Sequence, residues 1–313
     1  MSIRIFDAHC DTIQKLCDSK KSLFENDCHV MLKKMQHNPH IQVFAAFTDS
    51  QNDILPQFER GNELIDYYFA EIQKNRDKVL HCTTLDEIIC ATKMGKIAAL
   101  ISIEGGETLK GDIRNLDYFY KRGVRLLTLC WNYNNEICGS IGSEENLGLS
   151  DFGKDIIARM NHLGMVVDVS HSSERTFWDV LEHTKKPVVA SHSNVFSLKS
   201  HKRNLKDEQI KAIIKNNGCI GINFYSEFLC DGKGQIADVL RHIEYILALG
   251  GENNIGFGSD FDGMSLLPDG IDGICGIEKI IEELLKLGYS EELVKKIASD
   301  NFLRVLGTVF QQK

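Results

Sequence analysis

The chain has 313 residues, 43% of them hydrophobic and 26% charged, and its 44 acidic against 36 basic side chains give a formal net charge of −8. That balance argues against nucleic acid or an anionic membrane surface as the main partner, and 4 prolines with 25 glycines exclude a collagen-like or low-complexity chain. A length rule suggests about two domains, but α/β barrels of ~250 residues and more fold as one, so residues 1–313 are read as a single domain.

Met1-Ser2-Ile3-Arg4-Ile5-Phe6-Asp7 runs straight into a strand-like segment with no apolar signal stretch. No apolar run approaches the ~18 residues of a membrane span. The 10 cysteines form no C-x-x-C pair. The expectation is a soluble, cytoplasmic protein with reduced cysteines and no membrane contact. Short β-branched runs at 3–9, 41–47, 97–103, 124–129, 165–169, 187–191, 219–224 and 254–258 read as strands. Segments 57–73 and 85–93 make a mostly helical insert after the second strand. Ser150-Asp151 precedes Ile156, Ile157, Met160 and Leu163 at helical spacing, and 206–217 and 236–249 repeat the pattern. Gly123, Gly164 and Gly218 sit where a helix should stop before a strand. Residues 277–310 form a helical tail.

Repeated βα units imply a parallel sheet covered by helices. Their number suggests closure into a (β/α)8 barrel. An open doubly wound sheet is the alternative, although neither G-x-G-x-x-G after the first strand nor G-x-x-x-x-G-K-[ST] is present.

Polar residues recur at the strand ends: Asp7-Ala8-His9-Cys10-Asp11, Ser102-Ile103-Glu104-Gly105-Gly106, Asp168-Val169-Ser170-His171, Ala190-Ser191-His192 and Gly258-Ser259-Asp260-Phe261-Asp262-Gly263. In a parallel barrel all of these lie on the carboxyl rim, where barrel enzymes place their active sites. One strand-end histidine is more often structural than a ligand; the convergence on one rim is what argues for a site. Imidazole with carboxylate suits Zn²⁺, with Mn²⁺ or Co²⁺ as substitutes. Three histidines with two or three carboxylates exceed what one ion needs, and two cations ~3.5–4 Å apart could share a bridging carboxylate. Asp7 and Asp168 either orient a ligand or are buried, hydrogen-bonded carboxylates. The other eight histidines, His201 among them, read as surface or packing residues.

These motifs, with Arg203-Asn204 and the tail Asn301-Phe302-Leu303-Arg304-Val305-Leu306, occur in the order found in a known family. The chain resembles the renal-type (membrane) dipeptidases, a branch of the metal-dependent amidohydrolases, over almost its whole length. The resemblance implies a dinuclear zinc peptidase that hydrolyses dipeptides, including those with a C-terminal D-residue, by attack of a hydroxide shared between the metals. His9 and Asp11 would hold one zinc ion, His171 and His192 the other, and Glu104 would bridge them. Arg203 would take the substrate's C-terminal carboxylate, Asp260 would handle protons and the substrate amine, and Tyr225 falls where the family has a substrate-contacting tyrosine. A homodimer is implied by analogy alone.

Animal members carry a histidine after the fourth strand in a Thr-Leu-Thr-His pattern, where this chain reads Thr128-Leu129-Cys130-Trp131. An indole offers one N–H donor and cannot carry a proton, so Trp131 is expected to touch the substrate or its tetrahedral intermediate through that N–H. Glu107 stands where many relatives have histidine, with no role assigned. This substitution of Trp131 keeps other readings open: an N-acyl amino acid deacetylase, a lactonase, or a non-catalytic metal-binding barrel.

Overall fold

The structure is a computed structural model that describes residues 3–35 and 37–310. Its strands are β1 (Ile5–Asp7), β2 (His40–Phe47), β3 (Val79–His81), β4 (Ile97–Glu104), β5 (Val124–Thr128), β6 (Val166–Asp168), β7 (Val189–Ala190), β8 (Cys219–Ile222) and β9 (Ile255–Phe257). All pairings between them are parallel, in the order β2-β1-β9-β8-β7-β6-β5-β4-β3. A further pairing of β2 with β4, from Ile41↔Ala98 to Phe47↔Glu104, closes eight of them into a (β/α)8 barrel. Closure satisfies the backbone donors and acceptors that an open sheet leaves on its edges.

Strand β3 is not part of the sequence reading. It lies in the insert between the helices Gln57–Lys74 and Leu85–Lys93. It pairs with the start of β4 (Val79↔Ile97 to His81↔Ala99), along the same edge that β5 takes only from Ile101 onward. Three residues carry too little alternation to reveal a strand.

Helices flank the barrel as the apolar spacing predicts. Ser150 caps Asp151–Leu163 by accepting from the Gly153 N–H at 2.9 Å, and Ile156, Ile157 and Met160 face the core. That helix stops at Gly164, whose φ of 77° is left-handed. Before β8 the left-handed residue is Asn217 (φ 56°) rather than Gly218. All ten cysteines are free.

One apolar cluster joins Phe6, Ile41, Ala98, Leu126, Val166, Val189 and Cys219 to the last helix, Asn301–Val309. Phe302 of that helix stacks on Phe6 with ring centroids 4.9 Å apart. Most of these strand residues come from the first halves of their strands. The helical tail therefore covers the end of the barrel opposite the motif-bearing rim. No helix among the described residues is long and apolar enough to cross a membrane.

Candidate active site

The last residue of β4, Glu104, and the loops leaving β1, β6 and β7 bring His9, Asp11, Glu104, His171 and His192 into one buried cluster. Glu104 is at its centre. Its Oε2 lies 3.2 Å from His9 Nε2. Its Oε1 lies 3.2 Å from His171 Nε2 and 3.5 Å from His192 Nε2. His9 Nε2 is also 3.5 Å from Asp11 Oδ2. Two triads have ligand atoms within 4.8 Å of one another: His9, Glu104, His192 and His9, Asp11, Asp260.

The hydrogen bonds around the imidazoles fix what they present to this centre. Ser191 Oγ gives its proton to Asp168 Oδ2 at 2.6 Å, so it accepts from His192 Nδ1 at 2.7 Å. His171 Nδ1 donates to Asn132 Oδ1 at 3.1 Å. Each ring therefore aims an Nε2 lone pair inward. The two nitrogens are only 3.0 Å apart, with a carboxylate oxygen beside them. Lone pairs at that distance repel unless a cation lies between them.

Asp11 supports the same conclusion. It is the N-cap residue of Thr12–Ser19, yet its side chain makes no cap hydrogen bond. It forgoes ~1 kcal/mol of capping and turns its carboxylate into the cluster, where Oδ1 and His9 Nε2 are buried without hydrogen-bond partners. The donor set fits divalent cations: His9 with Asp11 on one side, His171 with His192 on the other, and one Glu104 oxygen toward each.

Burial and neighbouring charges act on every ionisable group of the cluster. Burial works against charge on His9 and Glu104, but the Glu104 and Asp11 carboxylates raise the His9 pKa, and the His9 charge with hydrogen bonds from His171 and His9 lowers that of Glu104. Burial, with Arg203 nearby, pushes His171 down to about 4, and burial with the neighbouring His9 charge lowers His192 as well. Burial and the adjacent Asp11 carboxylate push Asp260 up to about 8.

Asp260 follows β9 and is held by Asn223 Nδ2, which donates to Oδ2 at 2.8 Å. Asn223 is itself clamped. Its N–H donates to Asn194 Oδ1 at 3.0 Å, its carbonyl accepts from Asn194 Nδ2 at 2.9 Å, and its Oδ1 accepts from the Tyr225 N–H at 2.7 Å. Both Asp260 (φ 61°) and His171 (φ 64°) are left-handed. Such backbone costs of order 1 kcal/mol and persists where surrounding bonds enforce it. Beside Asp260, Gly263 leaves room that a Cβ would fill: the added carbon would lie 2.2 Å from Asp11 Oδ2 and 2.4 Å from Asp260 Oδ1.

A cavity of about 480 Å³ opens over the cluster and is lined by Asp11, Glu104, His171 and Asp260 and, around its mouth, by Trp131, Arg203 and Tyr225. Of the site residues expected from sequence, these seven line the cavity, while His9 and His192 lie against Glu104 without lining it. Arg203 is 6% exposed, and one guanidinium nitrogen, Nη2, donates to the His192 carbonyl at 3.2 Å. No carboxylate pairs with it among the described residues, and its Nε has no partner. Tyr225 presents its hydroxyl 3.4 Å from Ser265 Oγ. His201, read from sequence as a packing residue, lines the cavity too. Glu107 accepts from Asn135 Nδ2 at 3.0 Å, outside it.

Sequence reasoning missed Asn132, Asn223, Ser191 and Phe47. Asparagine and serine at strand ends are ordinary turn residues, and Phe47 looks like core. Only their adjacency to the histidines and aspartates could have marked them. Asp168, left open between two readings, is a buried carboxylate that also reaches His192 through Ser191.

A closed parallel barrel with imidazoles and carboxylates converging on its carboxyl rim is the architecture of a metal-dependent hydrolase. The model of the membrane dipeptidase family, peptidase family M19, matches residues 1–313, and the chain belongs to that family. An uncharacterized protein from the pqqA 5′ region of Klebsiella pneumoniae is 37% identical over 229 residues, which cover 69% of this chain and 84% of that protein. A Rhodobacter sphaeroides metallopeptidase, solved with a phosphinate mimic of the dipeptide L-Ala-D-Ala, superposes with a TM-score of 0.90 at 25% identity, covering 99% of this chain and 100% of its own. A dipeptidase described as an M19 metallopeptidase superposes with a TM-score of 0.88 at 26% identity, covering 99% of each chain. The protein is a metal-dependent dipeptidase that acts on small peptide substrates.

Proposed function

We propose that this dipeptidase binds two zinc ions, one on His9 and Asp11 and one on His171 and His192 with Glu104 between them, and that it accepts dipeptides with either an L- or a D-residue at the C-terminus. The observation that carries the substrate reading is Arg203. A buried guanidinium without a carboxylate partner is costly, and here it borders the cavity whose floor is the Glu104 cluster. An anionic group at one end of a small substrate relieves that cost. The phosphinate dipeptide mimic bound by the Rhodobacter sphaeroides relative supports a substrate ending in a D-residue.

The bound ions would supply a water acidified toward neutrality and an electrophile for the peptide carbonyl. The chain supplies the rest. Arg203 holds the substrate carboxylate through charge-assisted hydrogen bonds and fixes the scissile bond over the cluster. Asp260 takes the proton from the attacking water and hands it to the leaving amine. Asn223 occupies Oδ2 of Asp260, which leaves Oδ1 for that transfer. Asn132 and Ser191 hold His171 and His192 in the tautomers that present Nε2. Tyr225 closes the side of the mouth beside Arg203, and Trp131 the side beside His171.

The test is hydrolysis of a panel of dipeptides, L,L and L,D, alongside N-acyl amino acids and lactones, by the zinc-loaded protein. Turnover of both dipeptide series above the other classes supports the reading. A preference for N-acyl amino acids or lactones would replace it.

A further inference from the structure

Charge is unevenly distributed around the cavity mouth. Arg203, Lys202 and Glu227 come from the segments after β7 and β8, and Asp260 follows β9. The opposite arc, after β2 and β5, contributes rings instead: Phe47, Trp131 and Tyr133. Phe47 ends β2 and is the register partner of Glu104 on β4. Register partners project to the same face of a sheet, so its ring stands beside the Glu104 carboxylate. Trp131 meets Phe47 edge to face at 4.9 Å and 65°, and Tyr133 at 5.6 Å and 72°. Its ring centroid is 6.3 Å from that of His171. Edge-to-face contacts of this kind are favourable in themselves. They turn three side chains into one apolar wall that starts at the imidazole cluster.

We propose that this wall is the side-chain subsite for the N-terminal residue of the dipeptide, and that it selects large apolar and aromatic residues there. The inference rests on the dipeptidase reading. With the C-terminal carboxylate on Arg203 and the scissile carbonyl over Glu104, the N-terminal residue lies on the arc away from Arg203. Its amine then faces Asp260, and its side chain faces the rings. An apolar side chain is desolvated against them at a gain. An anionic one loses water there and finds no partner among the three rings. In this role Trp131 acts through its ring face rather than its N–H.

The experiment fixes alanine at the C-terminal position and compares kcat/KM for Gly-Ala, Asp-Ala, Leu-Ala and Phe-Ala, using zinc-loaded wild type, Phe47→Ala, Trp131→Ala and Trp131→Phe. Circular dichroism and bound-metal content confirm that each variant is folded and loaded. Leu-Ala and Phe-Ala should exceed Gly-Ala by about tenfold or more in wild type. The Phe-Ala to Gly-Ala ratio should fall several-fold in both alanine variants and persist in Trp131→Phe, which keeps an aromatic face without an indole N–H. Equal rates across the wild-type panel, or a ratio unmoved by the alanine variants, would overturn the subsite while leaving the dipeptidase reading intact. Failure to cleave any of the four dipeptides would remove the dipeptidase reading itself and the inference with it.

Discussion

Asp168 and Ser191 are joined twice: the Ser191 N–H donates to Oδ1 at 2.9 Å and its hydroxyl to Oδ2 at 2.6 Å. Asp7 and Ser259 repeat the arrangement across the barrel, at 2.8 and 2.6 Å. In both pairs the serine immediately precedes a residue of the cluster, His192 in one and Asp260 in the other. Asp168 thereby sets the direction of the Ser191 hydroxyl, and the hydroxyl sets the tautomer of His192. Removing such an outer partner typically weakens a metal site 10–100-fold. Ser191→Ala should therefore lower zinc affinity by about that factor, as measured by competition with a chelator, with little change in thermal stability. Unchanged affinity would mean that His192 needs no such support.

Gly263 is a second pressure point. Its backbone is not left-handed, so alanine is conformationally acceptable there, and the obstacle is the two carboxylate tips that a Cβ would strike. Side-chain tips can move where backbone cannot. Gly263→Ala should keep its melting temperature within a few degrees while losing about a hundredfold or more in kcat/KM, because a displacement of ~1 Å at reacting groups has that effect. Assay and thermal melt together decide the matter; wild-type activity would contradict the crowding argument.

Much of this was legible in the sequence. The barrel could be read because the strands are short β-branched runs, five of them ending in a polar cluster, as in Asp7-Ala8-His9-Cys10-Asp11. Those clusters recur with helical stretches between them. Glu104 and the four buried residues around it were legible for the same reason: imidazole and carboxylate at strand ends are chemically conspicuous. Asn223 and Asn132 were not, since an amide announces itself only through its partner, and those partners are 37 and 39 residues away in sequence. Strand β3 was hidden by its brevity. Phe47 was hidden because an aromatic at the end of a buried strand reads as core until the register with Glu104 is known.

Arg203→Met removes the cation and keeps most of the side chain's bulk. Hydrogen bonds to a charged group contribute about 1.5–3 kcal/mol, so KM for dipeptides should rise roughly 10–100-fold with a smaller change in kcat. A dipeptide amide, which lacks the carboxylate, should be cleaved about equally by both proteins. Steady-state kinetics on the two substrates check the point; an equal loss on the amide would remove Arg203 from carboxylate recognition.

His40 makes a prediction about stability. It begins β2 and is fully buried, and burial pushes its pKa from the ordinary 6.5 down to about 3. Protonation therefore favours the unfolded chain. The stability tied to a neutral His40 is fully present above pH 6.5 and is lost as pH falls toward 3. Between about pH 7.5 and about pH 5 the loss from this one group is about 2 kcal/mol. His40→Leu should show a correspondingly shallower decline over that range in urea unfolding. Parallel declines for the two proteins would show that His40 is protonated in the fold.

The most direct measurement is a zinc titration of the metal-free protein that follows bound zinc and dipeptide hydrolysis together, in wild type and in Glu104→Gln. With Glu104 between His9 and the His171–His192 pair, wild-type activity should keep rising until two ions are bound per chain. Glu104→Gln should bind zinc more weakly and show no measurable hydrolysis. Full activity at one ion per chain, or an active Glu104→Gln, would contradict the arrangement around Glu104 on which the functional reading rests.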